Sequence, residues 1–182
     1  MGRRCGRRFT GGMTENTQQM TVVVTGASGR TGSRVARAAR EAGLTVRGAS
    51  RAGGFDWQDP STWADVLRRA DAAYLVYPSD VGAPGAAGTV GRLAHEAVAL
   101  GVRRLVLLSA RGEEQARPTE EALRASGADR TVVRAAWFAQ NFSEGPLVEE
   151  LRMGGELVFP AGTGCGSRSS TCGTSRTSWW PC

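Results

Sequence analysis

One stretch near the start of the chain constrains the fold more than any other. Residues 20–35 read MTVVVTGASGRTGSRV, and Thr21 to Thr25 form a run rich in β-branched residues, which favours a buried strand. Glycines follow at positions 26, 29 and 32. After them, small apolar residues recur at helical spacing: Val35, Ala38, Ala39 and Ala42. We predict a strand, a glycine turn and a helix in direct succession.

A glycine turn that leads into a helix is suited to bind phosphate. Glycine lets the backbone approach an anion, and the helix N-terminus supplies free N–H groups and a partial positive charge. The alternative is a turn with a purely structural role. In this context we expect the pyrophosphate of a dinucleotide, held by the residues of the turn: Gly26, Ser28, Gly29, Arg30, Thr31 and Gly32.

Strand-like and helical patterns alternate along the rest of the chain. Strands are predicted at 44–51, 72–77, 104–109 and 131–136, with a short third strand at 55–57. Helices are predicted at 62–70, from about 84–88 to 100, and at 119–126. Alternation of this kind implies right-handed crossovers, so we predict an α/β fold with a doubly wound parallel sheet of six strands.

The end of the second predicted strand bears on cofactor choice. An acid at this place accepts hydrogen bonds from the ribose 2′-hydroxyl of NAD, whereas arginine favours the 2′-phosphate of NADP. The strand ends in Ser50 and Arg51, and no acid lies between Arg47 and Gly54. Arg51 and Arg30 could both reach a 2′-phosphate. The sequence therefore predicts NADP(H) in preference to NAD(H).

Net charge gives no reason to expect nucleic acid as a partner. The formal charge of the 182-residue chain is +6, but residues outside 20–160 carry six arginines and one acid. The body of the protein is thus nearly neutral and offers no basic face. We expect a nucleotide cofactor and a small-molecule substrate as partners, with no nucleic acid and no membrane.

The four cysteines lie outside the body, at positions 5, 165, 172 and 182. Their spacing fits no zinc or redox motif, so we expect no metal site and interpret them as incidental thiols of a reducing cytoplasm. No apolar run is long enough to cross a bilayer. These features predict a cytoplasmic protein.

Several segments together resemble a known family. TGASGRTG, FDWQDPSTW, RRLVLLSARG, EEALRASGAD and TVVRAAWFAQNFSEG are similar to the NmrA-like family over residues 20–162. This family is an atypical group of the short-chain dehydrogenase/reductase superfamily, with ergot-alkaloid reductases and NAD(P)H:quinone reductases among its relatives. The resemblance implies an NAD(P)-binding Rossmann domain and an oxidoreductase.

The resemblance also implies roles for residues at the predicted strand ends. An acid near Asp56 often meets the adenine amine in the superfamily, although a loop cap is an equal alternative. Tyr77 and Pro78 follow the fourth strand, where the sheet meets the cofactor. Ser109, at the end of the fifth, matches the position of the superfamily's catalytic serine. The catalytic group itself is unassigned, with Ser109 and Tyr77 as candidates.

The string WFAQNF after the sixth strand is the most specific part of the resemblance. By analogy, Trp137 contacts the cofactor, and Phe138, Asn141 and Phe142 contact the substrate. The alternative for these aromatic residues is packing against a neighbouring domain. His95, the single histidine, lies in a helical segment away from the strand ends, and we expect no catalytic role for it.

The proton-transfer pair of the superfamily, Tyr-x-x-x-Lys, is missing. All 23 basic residues are arginine, and the two tyrosines are Tyr74 and Tyr77. Proton donation by a phenol–ammonium pair is therefore excluded.

The two ends of the chain differ in character from residues 20–162. Residues 1–19 are arginine-rich and without periodicity, and we expect a disordered extension. Residues 163–182 also lack apolar periodicity, and a shifted reading frame near Gly164 would restore a family-like string. We expect an aberrant, disordered tail and a missing substrate domain.

Three functions remain open at this point. The first is an NADP(H)-dependent oxidoreductase that acts on a small quinone-like or imine-like substrate. The second is a non-catalytic NADP(H)-sensing regulator that binds a protein partner. The third is an inactive truncated product.

Overall fold

The computed structural model describes residues 19–136, 138, 148–149 and 152–154. The chain divides into two compact units, residues 1–136 and 137–182. The first unit contains strands β1 Thr21–Thr25, β2 Thr45–Ala49, β3 Ala72–Leu75, β4 Arg104–Ala110 and β5 Asp129–Ala135. Its helices are α1 Arg30–Glu41, α2 Trp63–Leu67, α3 Ala86–Ala99 and α4 Arg117–Ala125. Short 3₁₀ turns occupy Arg51–Gly53, Pro60–Thr62 and Glu114–Ala116.

The five strands form one parallel sheet in the order β2-β1-β3-β4-β5. Helix α1 packs on β1 and β2, while α3 packs against both α2 and α4. Right-handed crossovers put α1 on one face of the sheet and α2, α3 and α4 on the other. The predicted fold class, a doubly wound parallel α/β sheet, is confirmed. The strand order reverses between β1 and β3, so a crevice for ligands is expected above that point.

The predicted third strand at residues 55–57 is wrong, and the described sheet has five strands rather than six. Phe55 and Trp57 are 2% and 6% exposed, and they join the hydrophobic core instead of a ladder. The backbone turns at once, because Asp56 accepts two hydrogen bonds. The Gln58 N–H donates to Oδ1 of Asp56, and the Trp63 indole N–H donates to the Asp56 carbonyl oxygen. Three residues followed by such a turn are too few to pair with a neighbouring strand.

The core lies between the sheet and the layer of α2, α3 and α4. In β4, Leu105 and Leu107 are fully buried, whereas the alternate residues Val106 and Leu108 are only half-buried. The period of two shows that one face of this strand is covered more completely than the other in the described structure.

The second unit is described at few positions. Val148, Glu149 and Arg152 have helical backbone, and the Arg152 guanidinium lies 3.2 Å from Oε1 of Glu149. Met153 is 85% exposed. The predicted extension 1–19, except its last residue, and the predicted tail 163–182 lie outside the described residues.

Candidate functional site

The glycine turn follows β1 directly and has the backbone that the sequence predicted. Gly26 has a φ of +63°, a conformation that residues with a Cβ rarely adopt. The Gly29 N–H donates to the Gly26 carbonyl at 2.8 Å, which closes the turn. Gly29 is then extended, and α1 begins at Arg30. Strand, turn and helix therefore occupy consecutive residues.

Gly32 is required by packing rather than by its own dihedral angles. A Cβ at this position would lie 2.2 Å from the Gly26 carbonyl oxygen and 3.0 Å from that of Thr25. The first turn of α1 thus rests against the end of β1 at a distance that excludes any side chain. A Cβ at Gly29 would meet the same Gly26 oxygen at 3.2 Å, a tight but tolerable contact.

The N-terminus of α1 has no capping group of its own. No side chain of the described residues accepts a hydrogen bond there, and the first turn contains no acid. The first N–H groups of a helix lack intrahelical partners and carry the positive end of its dipole. This end of α1 is therefore suited to hold an anion.

A cleft of about 760 Å³ opens in front of this helix end. It runs from the end of β2, across the glycine turn, to the end of β3. The lining includes eleven residues that the sequence predicted as contacts: Gly26, Ser28, Gly29, Arg30, Thr31, Gly32, Ser50, Arg51, Asp56, Tyr77 and Pro78. It also includes five that the sequence did not single out: Ala49, Phe55, Trp57, Gln58 and Val76.

The five missed residues are neighbours in sequence of predicted ones. Phe55, Trp57 and Gln58 flank Asp56, so a prediction based on the whole loop rather than on its acid would have included them. Trp57 packs edge-on against Phe55 and Tyr77, with ring centroids 5.6 Å and 5.2 Å apart. Phe55 and Trp57 are almost fully buried, so their rings back the wall of the cleft from the core side.

Asp56 is partly committed to its own loop. Its Oδ1 accepts the Gln58 N–H at 2.8 Å, which is the loop-cap alternative. Its Oδ2 has no hydrogen-bond partner among residues 19–136. One carboxylate oxygen is therefore structural, and the other remains available at the cleft.

The arginines near β2 differ in their contacts. Arg47 donates to the carbonyls of Val66 and Arg68, at 2.7 Å and 2.6 Å, and so caps the C-terminal end of α2. Arg51 begins the turn after β2, is exposed, and its guanidinium forms no ion pair with the residues described here. Arg30 is also exposed at the start of α1. Both lie on the rim of the cleft.

Ser109, the candidate by analogy, lies outside the lining of this cleft. It is 4% exposed, and its hydroxyl donates to Oε1 of Glu120 at 2.6 Å. Glu120 is buried on α4 and also accepts Arg134 Nε at 2.9 Å and Nη2 at 2.5 Å. Hydrogen bonds from Arg134, opposed by burial and aided by Ser109, hold the Glu120 pKa below its ordinary value.

Sequence reasoning missed Glu120 and Arg134. A single glutamate in a helix and a single arginine in a strand carry no pattern that pairs them, so only the fold reveals the contact. Tyr74, in the middle of β3, has a raised pKa because it is partly buried, whereas Tyr77 faces the cleft. His95 is exposed on α3, as expected for a helix-surface residue.

Most of the contact residues predicted after β5 are not among the described residues. Trp137, Asn141 and Phe142 lie outside the described residues. Phe138 is described and is 39% exposed.

In the described ranges, no three His, Cys, Asp or Glu side chains cluster as a metal site needs. No helix of those ranges has the length and apolar character needed to cross a bilayer.

Comparisons with known proteins point to oxidoreductases. No family model matches the chain. It is 33% identical over 146 residues to agroclavine dehydrogenase of Claviceps fusiformis, covering 68% of this chain and 49% of that protein. It is 30% identical over 159 residues to the uncharacterised oxidoreductase YesF of Bacillus subtilis, covering 81% and 55% respectively. The chain therefore spans about half the length of the curated relatives it matches.

Solved structures share the fold. A short-chain dehydrogenase/reductase superfamily protein from Agrobacterium tumefaciens with bound NAD has a TM-score of 0.51 at 22% identity, over 63% of this chain and 48% of its own. The Citrobacter triphenylmethane reductase complexed with NADP(H) has a TM-score of 0.51 at 18% identity, over 68% and 52%. The two curated relatives confirm the predicted resemblance to oxidoreductases, and the solved structures confirm the predicted Rossmann-like fold.

Proposed function

We propose that this chain binds NADP(H) in the cleft between the ends of β2 and β3 and belongs to an oxidoreductase. The observation that carries the proposal is the uncapped N-terminus of α1, which opens into a cleft with Arg30 and Arg51 on its rim. An anion-binding helix end beside two exposed guanidinium groups suits a pyrophosphate with an additional phosphate nearby.

Each part of a dinucleotide has a matching part of the cleft. The wall of the cleft around Asp56, backed by the rings of Phe55 and Trp57, suits the adenine, with Asp56 Oδ2 as an acceptor for its amine. The glycine turn suits the pyrophosphate, and Arg51 suits the ribose 2′-phosphate. The remaining nucleoside would continue past Tyr77 and the residues that follow it, along the strand ends.

Because Arg51 follows β2 and no acid lies between Arg47 and Gly54, NADP(H) is the proposed cofactor in preference to NAD(H). When bound, the nicotinamide supplies the hydride chemistry. The protein binds the cofactor, orients it and shields it from water. The proposed substrate is a small quinone-like or imine-like molecule, by analogy with the family that the sequence resembles, and the proposed location is the cytoplasm.

A direct test is calorimetric titration of the purified protein with NADPH and NADH. We expect a 1:1 complex with NADPH and binding of NADH that is at least about tenfold weaker, the effect of one lost charge-assisted contact. Stronger binding of NADH would contradict the cofactor assignment, and no binding of either nucleotide would contradict the function itself. A panel of quinones and cyclic imines, with NADPH absorbance as the readout, then tests for turnover.

A second function, a non-catalytic NADP(H)-sensing regulator, is favoured by one observation. The sequence contains no lysine, so the usual Tyr-x-x-x-Lys proton-transfer pair cannot form. A sensor needs binding but no proton transfer. NADPH binding without oxidation by any acceptor of the panel, together with co-purification of a protein partner that NADPH releases, would favour this alternative.

A further inference from the structure

The first half of α4 holds three parts of the sheet edge at once. The Thr119 hydroxyl donates to the Val81 carbonyl, in the loop after β3, at 2.5 Å. The next residue, Glu120, accepts the hydroxyl of Ser109 in β4 and the guanidinium of Arg134 in β5. Two adjacent side chains of one helix therefore link the C-terminal ends of three neighbouring strands.

The Glu120 cluster is defined as Ser109, Glu120 and Arg134, and it satisfies both carboxylate oxygens of Glu120. Glu120 is 9% exposed, and both of its oxygens accept a hydrogen bond from Arg134 while Oε1 also accepts from Ser109. A buried carboxylate is costly unless it is paired and hydrogen-bonded, and its loss leaves its partners without that restraint. The cluster therefore ties the ends of β4 and β5 to α4, through a buried Glu120 carboxylate and a largely exposed Arg134 side chain.

The loop after β3 is held at a second point as well. A Cβ on Gly82 would lie 2.3 Å from Cγ of Gln115, in the turn that leads into α4. Val81 beside it is 8% exposed. This loop begins just after Tyr77 and Pro78, which line the cleft. The helix that carries the Glu120 cluster is thus packed against the loop at the far end of the cleft.

The strand order predicts which half of a bound dinucleotide would lie near the Glu120 cluster. The cleft covers the ends of β2, β1 and β3, and β4 is the next strand in the sheet. Neighbouring strands are about 4.8 Å apart, so the end of β4 lies about 14 Å from that of β2. An adenosine above β2 with its pyrophosphate above β1 leaves the nicotinamide nucleoside above β3 and β4.

We propose that Glu120 is a positioning residue for the nicotinamide half of the site: by holding Ser109 and Arg134, it sets the ends of β4 and β5 against which that half of the cofactor binds. The proposal rests on the proposed binding of NADP(H) in the cleft. Because Ser109 gives its proton to Glu120, its hydroxyl offers only lone pairs to other groups. While this bond is in place, the Ser109 hydroxyl has no proton to donate to another group.

Two ligands allow the two halves of the site to be tested separately. Adenosine 2′,5′-bisphosphate tests the adenosine half alone, and NADPH tests the whole. The variant is Glu120→Gln, and the matched control is Glu121→Gln, an exposed glutamate at the next position of the same helix. Dissociation constants for both ligands are measured by calorimetry, and the emission of bound NADPH reports the environment of the nicotinamide.

We expect Glu120→Gln to weaken NADPH binding roughly tenfold, because displaced ends of β4 and β5 would lose about one hydrogen bond's worth of contact with the nicotinamide half, and to leave the bisphosphate unchanged. Emission of bound NADPH should shift towards that of the free nucleotide. Ser109→Ala keeps the Glu120–Arg134 pair, and it should weaken NADPH binding and shift the emission of bound NADPH in the same direction. This variant replaces Glu120→Gln in the test if Glu120→Gln does not fold. Glu121→Gln should match the wild type.

Two results would overturn the inference. Equal weakening of both ligands would make the Glu120 cluster a purely structural feature. Unchanged NADPH binding in Glu120→Gln and Ser109→Ala would show that the cluster does not act on the site. Wild-type protein that binds neither ligand would overturn the proposed function instead, and the positioning role with it.

Discussion

Replacement of Gly32 by alanine tests whether the glycine turn and α1 are held together as described. The new Cβ would lie 2.2 Å from the Gly26 carbonyl oxygen and 2.6 Å from its carbon. Real Cβ atoms essentially never approach closer than 3.0 Å, so α1 must move by about 1 Å or more relative to β1. Both contacts are with backbone, which cannot rotate away as a side chain can.

The expected loss in the free energy of unfolding is large for the addition of one methyl group. Overpacking a well-packed site costs about 1–3 kcal/mol, and a backbone contact this short puts Gly32→Ala near the upper limit. A loss of about 3 kcal/mol corresponds to a drop in melting temperature of roughly 10 °C for a domain of this size. Thermal denaturation followed by circular dichroism measures the drop directly.

Gly88 provides the matched control. It lies within α3, is exposed, and has no heavy atom within 4 Å of an added Cβ. Gly88→Ala should therefore stabilise the protein by about 0.5–1 kcal/mol, the helix propensity difference alone. If Gly32→Ala melts within two or three degrees of the wild type (about 1 kcal/mol), the close approach of α1 to β1 is not as described.

Three further predictions concern the cleft and the Glu120 cluster. Arg51→Asp should lose about 1–3 kcal/mol of NADPH affinity by calorimetry, whereas Arg92→Asp, an exposed change on α3 outside the cleft, should lose none; equal loss in both would refute a specific contact. Gly29→Val should abolish binding of either nucleotide because the side chain blocks the pyrophosphate, yet keep the circular dichroism spectrum, and normal binding would put the pyrophosphate elsewhere. Because the Glu120 pKa is lowered in the folded protein, its stabilising contribution is present above the ordinary glutamate pKa of about 4.3 and is lost as the pH falls through the lower folded value. Urea denaturation from pH 6 to pH 3 should therefore show a smaller acid loss in Glu120→Gln than in the wild type, and parallel curves would refute this linkage.

The sequence predicted β1 with the bounds that the structure has, Thr21–Thr25, because a β-branched run ends at a glycine and both signals are local. It also predicted eleven residues of the cleft, since a parallel α/β sheet brings the ends of its strands to one edge. The segment at 55–57 misled the prediction because strand formation depends on a neighbour to pair with, whereas these aromatic side chains gain more from the core. The bond from Ser109 to Glu120 spans two elements, and nothing in the local sequence specifies it.

The arginines show how the structure sharpens an assignment that composition leaves open. In the sequence all 23 basic residues are equivalent guanidinium groups, and any near the second strand could serve a phosphate. In the structure the Arg47 guanidinium donates to the carbonyls of Val66 and Arg68 and caps the end of α2, so it is committed within the protein. Arg51 and Arg30 lie on the rim of the cleft that Asp56 also lines, and neither guanidinium forms an ion pair within the described residues. Two guanidinium groups beside an uncapped helix end attract an anion whether or not the protein catalyses a reaction. Phosphate binding is therefore the property to measure first, since both the reductase and the sensor depend on it.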